Sequence, residues 1–304
     1  TNAQAIARDK HFVMEQAVRH RANLFPKFNG AGGVWRRSCL IGVGGWHSDT
    51  VCEDMCLSTR AVLQGWESLY LNEVESPAEL PSTLSAYKSQ QARWSKGSTQ
   101  CLVKYGRAIL TAKQQTPLAR FYALISMSAY TTNLLLILLL LLQIPLLLQN
   151  FRFPSWMLIF SVAGIGQPLL FVMSQQILYP DWLHRLRHFP TMVLLAIGLA
   201  PSNARAICQA LSRQEQIFVR TPKQGSQQYA LMELNFDWLM LIELGLAIYA
   251  WLGICLAIIQ KNYGPLFFLG SCALAYSGMV LLNVREWRWQ WRQHRHETAV
   301  SSLP

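Results

Sequence analysis

The stretch from Phe121 to Leu148 contains no charged residue and is dominated by leucine. A helix needs about 20 predominantly apolar residues to cross the hydrocarbon core of a bilayer, so this stretch is long enough to span it. The remaining composition agrees, because only 14% of the 304 residues are charged, whereas about 25% is typical of soluble domains. The sequence therefore predicts a membrane protein and argues against an ordinary soluble enzyme.

Three further apolar stretches are long enough to cross a bilayer, at Ser155–Leu178, Phe236–Ile259 and Pro265–Leu282. The apolar stretch Phe189–Pro201 is too short for a span. We interpret it as an interfacial or re-entrant piece. The sequence thus predicts four spans.

The distribution of basic residues predicts the orientation of these spans. A net charge of +11 would suggest nucleic acid in a soluble protein, but here Lys and Arg cluster beside apolar stretches, as they do on cytoplasmic flanks. The two very short links between spans hold one basic residue each, Arg152 and Lys261. Residues 1–115, residues 180–235 and the C-terminus are therefore predicted to be cytoplasmic, with no nucleic-acid partner.

The polar region before about residue 115 has the pattern of an α/β domain. A helical pattern runs from Ala3 to Leu24. Capping, turn and alternation signals then predict a strand, a helix, a second strand and a long helix. These four elements are expected at residues 34–37, Thr50–Gly65, 66–74 and Ser82–Leu110.

An acidic pair, Glu53 and Asp54, stands at the start of the helix that follows Thr50. Thr50 and Glu53 fit a Thr-x-x-Glu capping box, which gives Glu53 a structural task. Asp54 is not needed for that cap, and the helix dipole favours its charged form, which suits a general base. A solvated first-turn aspartate is the alternative explanation.

Gln90, Arg93 and Trp94 occur at i, i+3 and i+4 spacing, which places them on one face of the long helix. A guanidinium fork binds phosphate oxygens, and an indole offers a flat plate to the C–H face of a sugar. A surface arginine beside an anchoring tryptophan is the alternative. Phe218–Lys223 is a basic, Pro-containing segment whose alternative explanation is a plain linker.

In combination and in order, these motifs resemble the membrane-integrated family-2 glycosyltransferases, most closely their cellulose-synthase-like branch. The resemblance runs from His11 to Trp287 through FNGAGG, GGW, CED, PAELP, QQARW-KG, NARA and FVRTPK. It implies the C-terminal half of an α/β GT-A domain at residues 1–115. An α-helical transmembrane region at 116–304 would follow, with about four spans, interfacial helices and a cytoplasmic gating-loop segment at 180–235.

The resemblance also implies an inverting transfer from a nucleotide-diphospho sugar to a β-glycan that leaves through the membrane helices. Asp54 matches the general base of the T-E-D motif, with Glu53 beside it and Cys52 in place of threonine. Arg93 would hold the leaving diphosphate and Trp94 the acceptor sugar. The other residues implied in substrate binding and in gating over the nucleotide are Gln90, Asn29, Gly30, Phe218, Thr221 and Lys223.

Metal and donor binding are implied by the resemblance but lack their motif in this chain. The family holds Mg²⁺ or Mn²⁺ with an upstream D-x-D, whereas no two aspartates here are separated by one residue, so no metal ligand is expected. The implied partners are a UDP- or GDP-hexose, a glycan acceptor and a lipid bilayer. Because Thr1 starts inside a helical pattern, we expect a fragment whose donor half lies in a missing N-terminal segment or an accessory chain.

Three functions are consistent with the sequence. The first is a processive β-glycan synthase, and the second is a non-processive transferase that acts on a lipid acceptor. The third is a non-catalytic, truncated homologue that serves as a membrane scaffold or translocation subunit. The very short loops favour the bacterial inner membrane as the location.

Glu243 is a charged residue within the predicted span Phe236–Ile259. A charge is costly there, so the side chain should face the bundle or a polar path. A contact with the glycan channel and a protonated or hydrogen-bonded structural role are equally consistent with the sequence.

Overall fold

The computed structural model describes residues 2–152, 154–212 and 238–301. Within these ranges the chain is helical and forms no strand. The polar region contains α1 (Asn2–Asp9), α2 (Ala17–Arg21), α3 (Arg37–Gly42), α4 (Glu53–Leu63) and α5 (Leu84–Thr111). The π-helical residues Lys10–Gln16 join α1 to α2, so the helix predicted at residues 3–24 forms with a π-helical middle.

The apolar region contains eight further helices among the described residues. They are α6 (Pro117–Ser128), α7 (Thr132–Leu148), α8 (Ile159–Leu178), α9 (Trp182–Leu186), α10 (Phe189–Gly198), α11 (Ala200–Leu211), α12 (Leu239–Ile259) and α13 (Leu266–Ser301). Short 3-10 segments, Ala129–Thr131 and Ser155–Leu158, precede α7 and α8.

Three of the described segments are long and apolar enough to cross a membrane: α6 with α7, α12, and α13 up to Arg292. They correspond to three of the four predicted spans. The remaining predicted span, Ser155–Leu178, forms the helix α8, which is not one of these three segments. Instead, residues Trp182–Gly198 and Ala200–Leu211 form a pair bent by 41°, which fits a broken span or a re-entrant loop. The re-entrant alternative agrees with the prediction for Phe189–Pro201.

The two strands predicted at residues 34–37 and 66–74 are absent from the structure. Val34 is fully exposed and Leu69 is 84% exposed, so these two side chains do not pack in a core, whereas Trp35 and Trp66 pack beside α3 and α4 without forming strands. A strand needs neighbouring strands and a packed face to be stable, and no partner strand occurs within the described ranges. The α/β part of the prediction is therefore not observed as a sheet.

The two helices that carry the candidate motifs end and begin close to where the sequence predicts. α4 ends with the N–H of Gly65 bonded to the Val62 carbonyl (3.1 Å) and that of Trp66 bonded to the Ala61 carbonyl (3.0 Å). Gly65 has φ +83°, so this end is a Schellman motif with the glycine where one is favoured. α5 begins after Thr83, whose hydroxyl oxygen accepts from the backbone N–H of Ala86 at 3.2 Å.

Two of the three buried clusters in the described part of the chain lie beside α5. The first cluster joins α4, α5 and α6 through Phe25, Cys56, Val62, Cys101, Ile109, Ala119, Ala123 and Met127. The second joins α7, α12 and α13 through Leu140, Leu147, Leu246, Ala247, Ala250, Ala257, Leu269, Cys272, Ala273 and Tyr276. Because α5 packs on α4 and α6 and also contacts α11 and α13, it connects the motif-bearing region to the apolar bundle.

Candidate functional site

The loop before α3 approaches the start of α4 at Gly30. Gly30 has φ +77°, and a Cβ built on it would lie 2.9 Å from Oδ2 of Asp54. A side chain at this position would be strained by the backbone conformation and would displace the Asp54 carboxylate. The neighbouring Asn29 is exposed, and its Oδ1 accepts from Nε2 of His11 at 3.4 Å. The structure therefore brings the predicted residues Gly30 and Asp54 together.

The capping box predicted from Thr50 and Glu53 is not formed. α4 begins at Glu53, its N-cap is Cys52, and no side chain caps it. The Thr50 hydroxyl instead pairs with Sγ of Cys56 at 3.1 Å, because the thiol is buried beside it and offers a polar partner. Glu53 is half-buried and does not perform the structural task that the spacing suggested.

Asp54 is a half-buried carboxylate in the first turn of α4. Its Oδ1 accepts from the backbone N–H of Met55 at 2.7 Å. Burial raises the pKa of Asp54, and this effect outweighs the Met55 hydrogen bond and the positive charge of Arg93, which lower the pKa. The helix dipole was expected to favour the charged form, whereas desolvation dominates here.

Gly97 in α5 allows that helix to lie against the start of α4. A Cβ built on Gly97 would overlap Sγ of Cys52 and lie 3.0 Å from the backbone nitrogen of that residue. The Cys52 thiol faces the Arg93 carbonyl oxygen at 3.9 Å, and the N–H of Val51 donates to Oε1 of Gln100 at 3.0 Å. The CED motif and the QQARW-KG motif are therefore in direct contact.

The predicted residues Gln90, Arg93 and Trp94 all lie in α5 and are half-buried. Arg93 is close enough to Asp54 for its charge to act on the pKa of that carboxyl group. The guanidinium carbon of Arg8 lies 5.7 Å from the centre of the Trp94 ring, within the range of a cation–π interaction. A cation, a carboxylate and an indole thus line one region between α1, α4 and α5.

Part of the predicted site lies outside the described residues. Phe218, Thr221 and Lys223 of the gating loop belong to that part of the chain. Among the residues that the structure does describe, no group of three or more His, Cys, Asp or Glu side chains could hold a metal ion.

The contacts of Gly97 and Arg8 were not anticipated from the sequence. An isolated glycine within a helical pattern costs about 1 kcal/mol relative to alanine and signals close packing, so Gly97 carried a detectable signal. Arg8 carried none, because its ring contact joins residues far apart in the chain.

Comparison of the sequence with known protein families and proteins identifies the family to which this chain belongs. Glycosyl transferase family group 2 matches residues 2–199. Glucomannan 4-beta-mannosyltransferase 9 of Arabidopsis thaliana is 44% identical over 116 residues, which are 38% of this chain and 22% of that protein. Glucomannan 4-beta-mannosyltransferase 1 of Cyamopsis tetragonoloba is 40% identical over 122 residues, or 40% of this chain and 23% of that protein.

The chain thus matches less than a quarter of the length of these curated relatives. The family match, by contrast, covers well over half of the chain and includes the loop around Gly30, α4 and α5. These are the elements that bring Gly30, Asp54 and Arg93 into one region. The chain therefore belongs to family group 2 of the glycosyltransferases, within the cellulose-synthase-like branch that its motifs indicate.

Proposed function

We propose that this chain is part of a membrane-embedded, inverting hexosyltransferase that extends a β-glycan from a nucleotide-diphospho sugar. The observation that carries the proposal is the contact between α4 and α5, which sets the Asp54 carboxylate near Arg93 and beside the side-chain-free Gly30. The two relatives are named as glucomannan 4-beta-mannosyltransferases. Mannose is accordingly the first donor sugar to test.

The proposed chemistry follows from these side chains. A hydroxyl of the acceptor attacks the anomeric carbon while Asp54 takes its proton, and the bond from that carbon to the diphosphate oxygen breaks with inversion. Negative charge develops on the leaving diphosphate, and the Arg93 guanidinium would meet it with two parallel N–H donors. Trp94 would offer its ring to the acceptor sugar. Gln90 and Asn29 would contact the substrates, and Gly30 lies beside Asp54.

The raised pKa of Asp54 predicts the pH dependence of transfer. A protonated carboxyl group cannot accept the acceptor proton, so activity falls as the pH drops through the pKa of Asp54. Because burial raises that pKa, kcat/KM should begin to fall at a higher pH than the value of about 3.9 for an ordinary aspartate. A kcat/KM profile of the full-length protein checks this, and an acid limb at the ordinary aspartate value would contradict it.

Several finer features belong to the same proposal. Phe218, Thr221 and Lys223 would close over the nucleotide, and the growing chain would leave through the helices that are able to cross the membrane. Mg²⁺ or Mn²⁺ would be held by residues outside the described ranges, in a preceding segment or an accessory chain that completes a GT-A domain. Residues 1–115 would face the cytoplasm from a bilayer, with the bacterial inner membrane favoured by the short links.

The experiment uses the full-length protein in membrane vesicles with labelled GDP- or UDP-hexoses and Mg²⁺ or Mn²⁺. We expect incorporation into a large product that elutes early in gel filtration and stays in the aqueous phase. A product that extracts into organic solvent would identify a transferase acting on a lipid acceptor. No incorporation from any donor would overturn the enzymatic proposal and favour the scaffold.

A further inference from the structure

The face of α5 that points toward the apolar bundle carries a row of polar contacts. These contacts recur every three or four residues, which is the spacing of one helix face. The residues of α5 that make them are Ser85, Lys88, Gln91, Ser95 and Ser98. Their partners belong to α13, α12, the 3-10 segment after α6, α11 and α6, so one helix is bonded to five elements.

Lys88 makes the charged contact of this row. Its Nζ donates to Oε1 of Glu243 at 2.5 Å and to Oδ1 of Asn283 at 3.3 Å. Nδ2 of Asn283 donates to Oε2 of Glu243 at 2.6 Å. Glu243 is completely buried and Lys88 is 7% exposed. The carboxylate of Glu243, which lies within a predicted span, is therefore paired with Lys88 of α5. It is hydrogen-bonded, as the structural alternative for this residue predicts.

A second carboxylate of the bundle binds the beginning of α5. Glu286 of α13 accepts from the backbone N–H of Leu84 at 3.0 Å and from that of Ser85 at 3.3 Å. These are N–H groups of the first helical turn, which have no partner within the helix. Glu286 therefore fixes the end of α5 next to the turn that carries Lys88.

The residues of the proposed site lie on the other side of α5. At 100° per residue, Gln90, Arg93 and Trp94 are rotated from Lys88 by roughly 200°, 140° and 240°. A rigid helix that turns about its axis moves both faces together. A change at Lys88 that rotates α5 would therefore also change where Arg93 and Trp94 point.

We propose that Lys88, paired with Glu243 and Asn283, is a positioning residue that sets the rotation of α5 and so aims Arg93 and Trp94 at the substrates. This role rests on the proposed glycosyl transfer. Removing one partner leaves the other charge buried without the opposite charge of Lys88 or Glu243, whereas replacing both by neutral groups of similar size removes that cost. The double variant Lys88→Met with Glu243→Gln keeps a similar side-chain volume but loses the hydrogen bond between residues 88 and 243.

The test compares variants of the full-length protein in membrane vesicles, with turnover normalised to folded protein. Lys88→Met and Glu243→Gln alone should lower both protein yield and kcat. The double variant should regain yield and thermal stability, yet keep a kcat about 10-fold or more below wild type, since small misplacements of reacting groups are costly. Its KM for the donor should rise as well, because Arg93 is the residue proposed to hold the donor diphosphate.

The exchanged pair, Lys88→Glu with Glu243→Lys, should recover kcat relative to the neutral double variant. The Asn283 amide has both a donor and an acceptor and can serve either polarity. Lys104→Met is the matched control, because Lys104 also lies in α5 and forms an ion pair, but at the surface with Asp49. Its kcat should equal wild type.

A neutral double variant with wild-type kcat would overturn the positioning role while leaving the proposed function intact. An exchanged pair that folds but turns over no faster than the neutral double variant would also overturn it. Absence of transfer by the wild-type protein would overturn the function and the positioning role together.

Discussion

Replacing Asp54 with asparagine is expected to lower kcat by about 10²-fold or more, the scale of general-base catalysis. Asparagine has the same shape and can still accept from the Met55 N–H, but it cannot take a proton from the acceptor hydroxyl. The KM for the donor should change little, because the substitution leaves Arg93 in place. Initial rates of sugar incorporation by the full-length protein in vesicles measure both values.

Measuring the stability of Asp54→Asn shows whether a loss of activity comes from the missing base or from impaired folding. A carboxyl group whose pKa is raised by folding stabilises the protein below its unfolded pKa, and that contribution is lost as the pH rises through the folded pKa. The neutral asparagine side chain avoids the cost of burying a charge, so Asp54→Asn should be at least as stable as wild type at pH 7. Asp49→Asn, the same change at an exposed ion pair, is the control and should retain activity. Near wild-type turnover by Asp54→Asn would contradict the assignment of the base.

Gly97→Ala is the second change with a large expected effect. The new methyl group would overlap Sγ and Cβ of Cys52 and crowd its backbone nitrogen at 3.0 Å. Overpacking of this kind costs about 1–3 kcal/mol, and it separates α5 from α4. A misplacement of about 1 Å can cost about 10²-fold in rate, so kcat/KM should fall toward that level. Thermal unfolding and steady-state kinetics measure the two effects.

Two further variants make this prediction specific. Gly106→Ala is the same substitution in the same helix, where the new Cβ would meet only Leu102 and Leu124, at 3.8 and 3.9 Å. It should be neutral or slightly stabilising, because alanine is the better helix former by about 1 kcal/mol. Adding Cys52→Gly to Gly97→Ala removes the overlapping side chain and should restore part of the activity. A Gly97→Ala variant that behaves like Gly106→Ala would contradict the close contact of the two motifs.

The sequence predicts the limits of the helices α4 and α5 well. α5 begins one residue after Thr83 and ends at Thr111, close to the predicted limits, because capping and apolar periodicity act within a few residues. The end of α4 at Gly65 was predicted for the same reason. Three of the predicted spans were also found, since length and composition decide whether a helix is able to cross a bilayer.

Features that depend on distant partners were not predicted. Alternation at residues 66–74 indicated a strand, but a strand forms only against a neighbour, and Leu69 remains exposed. The predicted Thr50–Glu53 cap was also wrong, although its competitor is local: the Thr50 hydroxyl pairs with the Cys56 thiol six residues further along the chain. The motif residues Asp54, Arg93 and Trp94 were identified, whereas the pairing of Lys88 with Glu243 joins residues 155 positions apart, beyond any local pattern.

α5 is held on one side by the bundle at Lys88 and on the other by α4 at Gly97. The number of residues between these two contacts is therefore fixed. One inserted residue rotates everything beyond it by about 100° and advances it by about 1.5 Å. An insertion between Lys88 and Gly97 would therefore leave the bundle-facing row intact at one end and turn Gly97 away from Cys52 at the other. The length of α5 between those two anchors therefore cannot change without breaking one of them.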